Sequence, residues 1–81
     1  MSELSDKVLI STKRYLGPAS QTFLERQAKN HMRGLNFNDI KEEHLPELFK
    51  WIHLSSKLII DEKADTLLKS LEVIFHIKKM D

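Results

Sequence analysis

The stretch from Leu45 to Ile60 constrains this chain most, because wound as a helix it carries apolar side chains on two faces rather than one. Leu45, Leu48, Phe49, Ile52 and Ile59 follow the i, i+3, i+4 spacing of a core stripe, and Trp51, Leu54 and Leu58 make a second stripe about a third of a turn away. A helix of that kind must be covered on both sides. In a chain of 81 residues it is therefore either central among its own helices or partly covered by a partner.

One domain is expected at this length, and a chain this small buries only about 60 to 65% of the surface its unfolded form exposes. Natural domains of this size often add a disulfide, a metal or a second subunit. The sequence has no cysteine, which removes disulfides, thiolate zinc motifs and a cysteine nucleophile. Thirteen Lys and Arg residues stand against 12 Asp and Glu, a formal net charge of +1, so any electrostatic site is local. The start of the chain lacks the basic and apolar pattern of a signal peptide, and no apolar run is long enough to span a bilayer. A soluble, cytoplasmic protein without a membrane role is the expectation.

Strand signals are nearly absent, and two glycines and two prolines divide the sequence into helical segments. The spacing predicts helices over 3–16, 18–33, 42–59 and 61–79, an all-α fold packed as a compact four-helix orthogonal or irregular bundle. Gly17 and Pro18 separate the first two, and Gly34 stops the second. The connector Leu35 to Ile40 supplies apolar plugs for the core. Pro46 is tolerable in the first turn of the third helix, and Asp61 is a suitable N-cap for the fourth. The expected centre is Leu9, Leu16, Phe23, Leu24, Leu48, Phe49, Ile52, Leu67, Leu71 and Ile74. Ala19 and His31 are also expected to face inward.

Catalytic and metal motifs are missing. His31, His44, His53 and His76 form no i, i+4 pair with one another, so no metal site is expected. Glu42, Glu43 and Glu47 gather where a helix start attracts carboxylates. Gly17-Pro18-Ala19-Ser20 could offer free N–H groups to an anion, but a tight helix–helix corner explains it better. No phosphate loop, nucleophile elbow or dinucleotide fingerprint occurs, and neither an enzyme nor a cofactor is expected.

Two binding candidates follow. Trp51, Leu54 and Leu58, with Val73 and Ile77 as companions, are the expected protein interface, serving a homodimer or another protein. Arg26, Lys29 and Arg33, at i, i+3, i+7 along the second helix, are the alternative, a basic face toward nucleic acid.

Tyr15-Leu16-Gly17-Pro18-Ala19-Ser20, followed by Phe23-Leu24-Glu25-Arg26-Gln27-Ala28, resembles a small helical module appended to bacterial signalling proteins, including cyanobacterial serine/threonine kinases. The likeness covers about residues 12 to 30 and, loosely, the later Leu-Pro-Glu-Leu helix. It implies a non-catalytic signalling or scaffolding accessory that acts through another polypeptide, and it transfers no active-site residue.

Overall fold

The computed structural model describes residues 3–75, and within them the chain is all-α with no strand. Helix α1 spans Glu3–Leu16, α2 Ser20–His31, α3 Leu45–Ile60 and α4 Lys63–Phe75. Short 3-10 turns at Gly17–Ala19, Phe37–Asp39 and Glu42–His44 occupy the connections. Helix α1 packs on α2 and α4, α2 packs on α3, and α3 packs most extensively on α4, so the contacts close into a ring.

Local chemistry sets where each helix ends. Gly17 holds a φ of +65°, and no neighbouring atom would meet a Cβ there, so glycine is needed for backbone conformation rather than for space. The Ser20 hydroxyl donates to the Gly17 carbonyl at 2.7 Å and closes the corner. Pro18 therefore sits in a 3-10 turn, and α2 starts two residues later than the spacing predicts.

The end of α2 also differs from expectation. The Gly34 N–H donates to the Lys29 carbonyl at 3.0 Å, the six-to-one hydrogen bond of a Schellman ending with Met32 as the C-cap. The position that demands a left-handed backbone is thus Arg33, at φ 58°, although Gly34 beside it is also left-handed at 74°. Asp61 departs in the same way. It is the C-cap of α3, at φ 51° and ψ −118°, rather than an N-cap for α4.

The third helix is reached through the Glu42–His44 turn, which is held reciprocally. The Lys41 N–H donates to His44 Nδ1 at 2.9 Å, and the His44 N–H donates to the Lys41 carbonyl at 2.9 Å. Pro46 then falls in the first turn of α3, where its missing N–H costs no helical bond.

The core follows the predicted stripes in the middle of each helix and departs from them at the ends. Leu9, Leu24, Leu48, Phe49, Ile52, Leu67 and Leu71 are buried, joined by Val8, Ala28, Leu45 and the connector residues Phe37 and Ile40. Leu16 and Phe23 are half-buried. Ile74 is 46% exposed, Ile59 is 64% exposed, and Ala19 and His31 are exposed. Helical spacing gives a side chain its direction but not the height at which the neighbouring helix stops.

Polar bonds between helices complete the packing. The Ser55 hydroxyl donates to Gln27 Oε1 at 2.7 Å across α3 and α2, and Tyr15 and Ser70 share a hydroxyl hydrogen bond of 3.0 Å across α1 and α4. Buried Thr12 donates to the Val8 carbonyl at 2.8 Å, so its hydroxyl is satisfied within α1. The left-handed positions predict opposite effects. Gly17→Ala should cost about 1 kcal/mol and Arg33→Gly should add up to about 1 kcal/mol, read as urea midpoints moving in opposite directions.

Candidate functional site

Helix α3 is flanked on both sides, and the flanks determine which of its apolar residues remain free. Toward α2, Ser55 bonds Gln27 and Trp51 stacks on His31 with ring centroids 4.2 Å apart and planes 10° from parallel. Toward α4, His53 Nε2 lies 2.6 Å from Asp65 Oδ1, and the Phe49 and Phe75 rings lie 5.6 Å apart. The stripe through Leu45, Leu48, Phe49, Ile52 and Ser56 points into the core between them.

On the side away from the core, Leu58 is 90% exposed and Leu54 is 48% exposed. They stand four residues apart, roughly 6 Å along the helix, and form one continuous apolar strip. Trp51 does not share their exposure. It is half-buried, its Nε1–H lies 3.4 Å from Glu47 Oε2, and Lys50 Nζ lies 5.1 Å from its ring centroid. The single tryptophan is largely engaged by its own chain.

The remaining residues expected at the interface lie elsewhere. Val73 is 72% exposed, but the Phe49–Phe75 contact sets the end of α4 beside the first half of α3, so Val73 lies toward the opposite end of the pair from Leu58. Ile77 falls outside the described residues. Ile10, also exposed, belongs to the outer side of α1. Leu54 and Leu58 are the members of the expected patch that the structure brings together on open surface.

Arg26, Lys29 and Arg33 are all exposed, and none makes an ion pair among the described residues. Arg33 lies just beyond the end of α2, so the basic row runs over the helix terminus.

An open pocket of about 300 Å³ lies between the end of α2 and the start of α3, lined by His31, Met32, Arg33, His44 and Glu47. Three of its polar side chains already have work in the fold. His31 stacks on Trp51, Glu47 accepts from the Trp51 indole, and His44 accepts from Lys41. Among the described residues no group of three or more His, Asp or Glu side chains is arranged to hold a metal ion. No helix among them is long and apolar enough to cross a membrane.

The cross-helix partners were not legible in the sequence. Gln27 stands three residues after Leu24, which is the signal that it lies on the inward side, but nothing in the spacing pairs it with Ser55. Comparison with protein-family models, with curated proteins and with solved structures finds no match.

The His53–Asp65 pair has a pH consequence. The hydrogen bond from His53 holds the Asp65 carboxyl below its ordinary 3.8, outweighing desolvation, and Lys57 at 3.9 Å adds to the effect. A depressed carboxylate stabilises the fold above its unfolded pKa and ceases to do so as pH falls through the folded one. Asp65→Asn should therefore lower the urea midpoint at neutral pH, with the difference from wild type vanishing below the ordinary carboxylate range.

Proposed function

We propose that this chain is a non-enzymatic helical protein-interaction domain, a compact four-helix bundle that self-associates or docks another protein through the outer side of α3. The observation that carries the reading is the exposure of Leu58 and Leu54 on the outer side of α3, opposite its buried stripe of Leu45, Leu48, Phe49 and Ile52. Leaving a leucine in water forgoes about 2 kcal/mol that burial would supply, and two on adjacent turns make a strip suited to a partner's apolar side chains. The structural uses already found for His31, His44, Glu47 and Trp51 favour binding over catalysis, because a catalytic pocket needs convergent polar groups free to act on a substrate. An accessory role in signalling in the bacterial cytoplasm fits the likeness of the Tyr15 to Ala28 segment to a helical signalling module.

The reading is tested by sedimentation velocity on wild type and Leu58→Asp. Wild type should form a species heavier than the 9.5 kDa chain, and Leu58→Asp should weaken that association at least tenfold while keeping its helical circular dichroism. Association that survives Leu58→Asp would move the interface elsewhere.

A second reading is a small nucleic-acid-binding regulator. It is favoured by the exposure of Arg26, Lys29 and Arg33 without ion-pair partners among the described residues. It requires duplex binding that weakens steeply with salt. Reversing all three charges to Glu should abolish binding, or reduce the slope of log affinity against log salt by roughly 3.

A further inference from the structure

We infer that the occupant of the α3 surface is a second copy of this chain, laid antiparallel on a two-fold axis that passes between Leu54 and Leu58. The inference rests on the interaction-domain reading and adds the partner and its register. It is carried by the charges at the two ends of the leucine strip. One turn before Leu54 stands Lys50, exposed, its ammonium lying near the Trp51 ring and in no ion pair among the described residues. Just past Leu58 stands the exposed turn Asp61-Glu62, whose carboxylates likewise have no ion pair there. Lys57, the other lysine of α3, is already drawn to Asp65 of α4.

A two-fold interface is self-complementary, so whatever residue i meets on the partner meets residue i in return. With the helices antiparallel and Leu54 opposite Leu58, Lys50 is level with the acidic turn of the other copy. At 1.5 Å per residue, Lys50 lies roughly 9 Å from the axis on one side and Asp61, the C-cap of α3, roughly 8 Å on the other, with Glu62 next to it in the turn. The leucines then form a four-residue apolar centre, closed at each end by opposite charges.

Two other arrangements put like charges together. A parallel two-fold pair sets Lys50 on Lys50 and Asp61 on Asp61. Sliding the antiparallel pair until Leu54 meets Leu54 brings Glu47 opposite Asp61 and leaves Leu58 against Lys50. Charges at the rim of an interface govern orientation and register more than affinity, so the leucines supply the association and the rim selects one geometry. The strip is short, and the dimer should be weak and concentration-dependent.

The test compares wild type, Lys50→Glu and the double variant Asp61→Lys/Glu62→Lys, each checked for helical circular dichroism, by sedimentation velocity and native mass spectrometry. All three positions are exposed, and because Asp61 holds a positive φ that lysine adopts less readily, Glu62→Lys alone is the second acidic-end variant. The expected result is a wild-type dimer, at least tenfold weaker association for each variant alone, and recovery as a one-to-one heterodimer when Lys50→Glu is mixed with either acidic-end variant. A wild-type dimer that Leu58→Asp disrupts but the charge variants leave intact would overturn this register and leave the interaction-domain reading standing. A wild-type chain that stays at 9.5 kDa throughout would overturn the self-association in both.

Discussion

The structure depends on the burial of one stripe of α3, from Leu45 through Leu48, Phe49 and Ile52 to Ser56, between α2 and α4. Each flank adds a hydrogen bond at the border of that stripe, Ser55 to Gln27 on one side and His53 to Asp65 on the other. These bonds sit where the apolar contact ends and are made in the rotation of α3 that the buried stripe requires. Once that rotation is set, Ile52 must face inward, and Leu54 and Leu58 must face away from the core. Among the described residues no helix covers that third side, and Leu58 is left 90% exposed.

The middle of each helix was legible from spacing alone, since Leu24, Leu48, Ile52, Leu67 and Leu71 recur at helical intervals and are all wholly buried. The ends were not. Ile59 and Ile74 share the direction of core residues but are 64% and 46% exposed in the last turns of α3 and α4, and periodicity carries no information about which neighbour stands there to cover them. The corner at Gly17 was visible as a glycine before a proline. The ending of α2 was misplaced by two residues, at 33 rather than His31, because the left-handed position after the helix is held by Arg33, a residue type that gives no such signal.

The candidate site was legible in the same partial way. Spacing groups Trp51 with Leu54 and Leu58, because all three lie off the core stripe. In the folded chain Trp51 falls on the α2 side, where His31 stacks on it, and the two leucines fall beyond the reach of either flank. That division depends on how closely α2 approaches α3, which the Gln27–Ser55 bond reflects and which no single-sequence pattern encodes. The pocket beside it illustrates the same constraint. Histidine, glutamate and tryptophan side chains that could have served a ligand hold the entrance of α3 together instead. The apolar outer strip is what remains uncommitted in this region of the fold.

The central claim is that α3 has two apolar faces of different kinds, one satisfied within the chain and one that we propose is satisfied against a second copy of it. The most direct measurement is the solution mass of wild type by light scattering across a concentration series. A mass that rises from 9.5 kDa toward twice that value as concentration increases is the result the account predicts. A mass that stays at 9.5 kDa at every concentration would contradict it.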